Sequence, residues 1–120
     1  MQVQCEIQQP NSIQSYSHNS VKISDIEYKF PVYISHNEII TNIKIENLFS
    51  KIQATPTILV VGQTSGITKD AIRQQAAWLQ LGIGVEWMHI DSACRTFNVL
   101  LGEGRSVGLL LMNDLCETCL

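Results

Sequence analysis

Thr57-Ile58-Leu59-Val60-Val61-Gly62, Ile83-Gly84-Val85-Glu86-Trp87-Met88 and Val107-Gly108-Leu109-Leu110-Leu111-Met112 are three short apolar runs in the second half of the chain. Ile58-Leu59-Val60-Val61, rich in β-branched residues, predicts a buried strand, and 83–88 and 107–112 predict the next two strands. Between them the spacing changes to that of a helix. Thr68 is a candidate N-cap, and Asp70 in the first turn meets the helix dipole favourably. Ile72, Ala76 and Leu79 then share one helical face, and Gly82 suits the C′ position. In the second helix Asp91 or Ser92 is the expected cap, and Ala93, Phe97, Leu100 and Leu101 form the apolar face. Gly102 closes it and Glu103-Gly104 turns the chain. The order is β-α-β-α-β, and right-handed crossovers make the three strands parallel.

That order carries a functional expectation. In open parallel sheets, ligands sit beyond the C-terminal ends of the strands. Two loops, 62–68 and 89–92, share that edge. Gln63, Thr64, Ser65, Gly66, His89, Asp91 and Arg95 are therefore expected to line one crevice.

The first half is less regular. Val3, Cys5 and Ile7 alternate with polar residues, as in a half-buried strand. Residues 9–20 read as a loop with Ile13 and Tyr16 docking. Val21-Lys22-Ile23 and Tyr28-Lys29-Phe30 flank the turn Ser24-Asp25, which predicts a β-hairpin. Pro31 argues against a central strand at that point. Val32-Tyr33-Ile34 and Ile39-Ile40 are further short strands. Ile45, Leu48, Phe49 and Ile52 predict a helix over 44–53. A chain of 120 residues is expected to form one domain, with its core at about 13–112 and a flexible tail at 113–120.

Composition excludes several classes. Net charge is −3, and Lys and Arg are scattered singly, so a nucleic-acid groove is not expected. No apolar run approaches the roughly 20 residues of a membrane span. The first six residues carry neither a basic nor an apolar signal region, which suggests the cytoplasm and reduced cysteines.

Motifs with chemical content are few. Gly62-Gln63-Thr64-Ser65-Gly66-Ile67-Thr68-Lys69 has three residues between its glycines where a phosphate loop has four, and Ile67 stands where the lysine belongs. Asp91 and Arg95 are spaced for an i,i+4 ion pair. His18, His36 and His89 are too scattered for a metal site, and His89 has only Thr64 or Ser65 as a candidate nucleophile. Cys116 and Cys119 form a CxxC pair with no helix after it, so neither a redox nor a zinc role is supported. Cys94 stands beside Arg95 but reads first as a buried apolar filler. No metal or cofactor is expected, and nothing here favours an enzyme.

Ile58-Leu59-Val60-Val61-Gly62, Leu81-Gly82-Ile83-Gly84-Val85-Glu86-Trp87-Met88, Ala93-Cys94-Arg95-Thr96-Phe97-Asn98-Val99-Leu100 and Glu103-Gly104-Arg105 together resemble a small domain family of unknown biochemical function. Its members include the mitochondrial respiratory complex I assembly factor of type three and an adipogenesis-associated Mth-type domain protein. The resemblance spans roughly residues 13–112. It implies a three-layer α/β domain: a central mixed sheet with flanking helices, and a small extra β layer from the first half. Family members carry a Gly-Thr-Gly-like turn after the first core strand, and the looser 62–66 segment departs from it. No catalytic residues carry over. The implied function is a non-catalytic interaction or assembly factor, with respiratory-complex assembly components as partners. The alternative is a binder of an anionic metabolite, or an enzyme, at the strand-end crevice. A third expectation is a homodimer through an exposed helix face bearing Trp78.

Overall fold

The protein is described from a computed structural model, covering residues 11–44, 48–63 and 69–112. The expected strand at 3–7, Thr64, Ser65, Gly66 and Thr68, the Asp70 side chain, and the Cys116/Cys119 pair lie outside the described residues.

Among the described residues, eight strands and three helices follow in order: β1 (Ser15–Tyr16), β2 (Ser20–Ile23), β3 (Ile26–Lys29), β4 (Val32–Ile34), β5 (Ile39–Thr41), α1 (Leu48–Lys51), β6 (Ile58–Gln63), α2 (Lys69–Gln80), β7 (Gly84–His89), α3 (Ile90–Gly102) and β8 (Val107–Leu111). The central sheet runs β5-β4-β8-β6-β7. β6 pairs parallel with both β7 and β8, as the β-α-β-α-β order requires. β4 pairs antiparallel with β8 and β5, which makes the sheet mixed.

One expectation about the first half needs correction: residues 15–16 form a strand, β1, inside the expected loop. Pro31 lies between β3 and β4 and in neither strand, and β4 is an interior strand of the central sheet. The hairpin itself forms as read, with Ser24 and Asp25 at φ of 51° and 65°. Both residues are left-handed, as a tight two-residue turn demands. Of the helix expected over 44–53, Leu48–Lys51 is described as helical.

The three layers follow from the alternation of strand side chains. On one face Val32, Ile34, Val60, Leu109 and Leu111 meet α3 through Ile90, Ala93, Cys94, Phe97 and Leu101, and the small sheet through Val21, Ile23 and Phe30. On the other face Tyr33, Leu59, Val61 and Leu110 meet Leu48, Trp78 and Ile83. A sheet covered on both faces explains why these strands read as unbroken apolar runs. Asn98 ties the small sheet to α3: the Ile13 N–H donates to its Oδ1 at 2.7 Å, and its Nδ2 donates to the Ile13 carbonyl at 3.0 Å.

Two close approaches set the layers. The Tyr33 ring lies over Gly108, filling the space a side chain there would take. A Cβ at Gly62 would stand 2.8 Å from Ala93 Cβ and 2.8 Å from Leu111 Cδ2, so α3 settles on β6 only because Gly62 has none. We expect Gly62→Ala to cost about 1–3 kcal/mol in chemical denaturation, by lifting α3 from the sheet. An unchanged midpoint would show that the layers yield.

Candidate functional site

The parallel register puts Gln63 directly beside His89, at the C-terminal ends of adjacent strands. β7 then passes into α3 without a loop. This displaces the expected cap: His89, with extended backbone, is the N-cap of α3, and it makes no side-chain capping bond. Asp91 falls inside the first turn, where its Oδ1 accepts from the Ser92 N–H at 2.7 Å.

Asp91 also gathers the two cationic candidates. His89 Nδ1 lies 3.0 Å from Asp91 Oδ1, and Arg95 Nη1 lies 3.7 Å from Asp91 Oδ2. All three side chains are exposed, at 62%, 43% and 66% for His89, Asp91 and Arg95. Gln63, His89, Asp91 and Arg95 thus cluster by strand register and helix pitch at one end of the sheet, on the surface. The arrangement offers hydrogen-bond donors to an anion, with a carboxylate between them.

Cys94, next along α3, faces the core. Burial pushes its thiol up to about 12, and the Asp91 carboxylate acts in the same direction. The neighbouring Arg95 does not reverse this, so Cys94 is an apolar filler and not a thiolate. Among the described residues no group of three or more His, Cys, Asp or Glu could hold a metal ion.

A second surface was not foreseen in the sequence. Ile72, Ala76 and Leu79 share one helical face, and that face is open to solvent, with Ile72 57% and Leu79 52% exposed. Ala76 is exposed with them. Trp78 goes inward instead, at 3%, edge-to-face with Phe49 at 5.6 Å. The expected Trp78 patch is therefore not on the surface. At 100° per residue Trp78 lies roughly 120° around the helix from the stripe, so both cannot face the core. The signal was present: one indole against three smaller residues on another side. The helix ends at Gly82 as expected, where the Ile83 N–H donates to the Trp78 carbonyl.

The family model described as "Protein of unknown function (DUF498/DUF598)" matches residues 13–112. The chain belongs to this family. Among solved structures, a Mth938-like domain from Bordetella pertussis is similar at 20% identity, covering 87% of this chain and 86% of that one, with a TM-score of 0.67. A protein from Xanthomonas campestris is similar at 22% identity, covering 83% and 82%, with a TM-score of 0.67. A Bartonella henselae protein described as an outer membrane protein is similar at 18% identity, covering 88% and 98%, with a TM-score of 0.63. At these identities the likeness is one of fold. No curated protein matches the chain. For this DUF498/DUF598 domain, no helix among the described residues is long and apolar enough to cross a membrane.

Asp91 gives the site a titration signature. Its carboxyl is held below the ordinary aspartate value, first by the hydrogen bond from His89, then by the Ser92 N–H, with Arg95 adding. A folded-state value that is depressed contributes stability above the unfolded value, and that contribution is lost as pH falls through the folded one. Carboxyl NMR titration should find Asp91 ionising below the usual aspartate range, and His89→Ala should move it upward. An ordinary value in the unaltered protein would show that the cluster does not form in solution.

Proposed function

We propose that the domain is a non-catalytic interaction factor that docks onto another protein through the exposed stripe of α2. The observation that carries this is the stripe itself: Ile72, Ala76 and Leu79 lie at i, i+4 and i+7 and face solvent. Apolar anchors at that spacing on a free helix face are what a helix offers to a partner's apolar surface. Large apolar side chains grouped on one face also leave a hydrophobic area that burial would stabilise. The resemblance to the mitochondrial complex I assembly factor points to respiratory-complex assembly components as the class of partner, met from the cytoplasm.

A second function draws on the strand-end cluster. Gln63, His89 and Arg95 are the described residues there with hydrogen-bond donors for an anionic metabolite. Asp91 argues against it as the main role. Its carboxylate already occupies His89 and Arg95, and it would repel an anion placed between them. A thermal shift with phosphate that disappears in Arg95→Ala would favour this function over the first.

Affinity capture separates the two. The unaltered protein should recover respiratory or membrane-assembly components, and Ile72→Glu/Leu79→Glu should recover at least about tenfold less, since charges replace two buried anchors. Circular dichroism should be unchanged in that variant. Recovery undiminished by the two glutamates would overturn docking through α2.

A further inference from the structure

Tyr33 brings a hydroxyl into the core. The residue is 0% exposed, and among the described residues its Oη is the buried side-chain oxygen without a hydrogen-bond partner. A buried hydroxyl left bare loses its hydration without a replacement, so native folds rarely keep one, and an ordered water is a common partner.

Three neighbours locate this hydroxyl. The ring lies over Gly108 with Oη against the glycine, near the end of the sheet opposite Gln63 and His89. Ile34 pairs with Leu109, and continuing that register sets Ser35 opposite Gly108. Ser35 stands on the same face as Tyr33, two residues on. It is 6% exposed, and its hydroxyl donates to Asn37 Oδ1 at 3.1 Å, which leaves its oxygen as an acceptor. Glu38 belongs to the same turn, where the Ser35 N–H donates to its carbonyl at 2.9 Å. Both side chains act on the phenol. Burial is the first cause holding it above its ordinary titration, the Glu38 carboxylate is the second, and Ser35 pulls the other way.

The carboxylate is tied elsewhere as well. Glu38 Oε2 accepts from the Gln53 N–H at 2.9 Å. Gln53 stands just beyond α1, whose Phe49 meets Trp78. A bridge from Tyr33 to Glu38 therefore joins the sheet to the loop that follows the support of α2.

We propose that Tyr33 Oη, Ser35 Oγ and the Glu38 carboxylate hold one internal water molecule, which ties β4 to the loop after α1. Water fits the chemistry because it accepts from the phenol and donates twice, once to Ser35 and once to Glu38. That gives it about three protein partners, the usual number for a buried water. An anion is repelled by Glu38, and a cation cannot accept the hydrogen of the phenol.

Tyr33→Phe tests this, because it removes the hydroxyl and leaves the ring on Gly108. With the water in place, losing the hydroxyl should raise the unfolding equilibrium constant about fivefold. The effect should shrink in a Glu38→Ala background, where the bridge is already broken. Relaxation dispersion of the water oxygen should lose one long-lived water in Tyr33→Phe, with circular dichroism unchanged. Stability that rises on removing the hydroxyl would show that Oη is dry and overturn the proposal. So would an equal number of long-lived waters in the two proteins, or a Tyr33→Phe effect that Glu38→Ala leaves intact.

Discussion

Trp78 enters the core between the sheet and α1, and the orientation of α2 follows from that one side chain. Its indole is 3% exposed and meets Phe49 edge-to-face, with the ring planes at 81°. An aromatic side chain of this size buries roughly 150–250 Å², more than any single residue on the competing face of the helix. The helix therefore turns Trp78 inward, and Ile72, Ala76 and Leu79 are carried to the surface. Gln75 fixes the same rotation from the side by accepting the Trp87 indole N–H. The docking surface is the geometric consequence of an anchor elsewhere on the helix.

The opposite face of the sheet is set by a missing side chain. Without a Cβ at Gly62, α3 rests its Ala93 on β6, and β7 runs straight into α3. His89 and Gln63 then share the end of the sheet, while the helix pitch brings Asp91 and Arg95 to them. Electrostatics decides what that cluster can do. The central carboxylate takes hydrogen bonds from His89 and the Ser92 amide and stands near Arg95. Its lowered titration reports a satisfied surface network. Such a network is a weaker argument for a ligand than an unsatisfied one would be.

The second half of the fold was legible because β6 and β8 are buried, β7 keeps a compact run at the sheet edge, and its helices end at glycines. β6, β7 and β8 fall where the apolar runs stand, and the Ser24-Asp25 turn marks the hairpin. The place of β4 was not legible. A three-residue strand carries no period, and nothing local in Val32-Tyr33-Ile34 says that it lies between β5 and β8. The exposure of the α2 stripe was not legible, because i, i+4, i+7 spacing groups residues on one face without saying which face is buried, while burial follows area. The α3 cap was misplaced because Asp91 and Ser92 are good capping types, whereas the strand leaves no loop before Ile90. In the candidate site, the adjacency of Gln63 and His89 follows from β-α-β order alone, but Asp91 becomes the hub only because the strand runs into α3 without a loop.

The domain thus combines a well-filled three-layer core with a helix face left apolar. Hydroxyl-radical footprinting tests this directly, because it reads side-chain accessibility residue by residue. In dilute protein, Ile72 and Leu79 should label strongly while Trp78 stays protected. Val99, exposed on α3, should label as they do. Labelling of Trp78, or protection of Ile72 and Leu79 at every dilution, would contradict the orientation of α2 on which the docking surface depends.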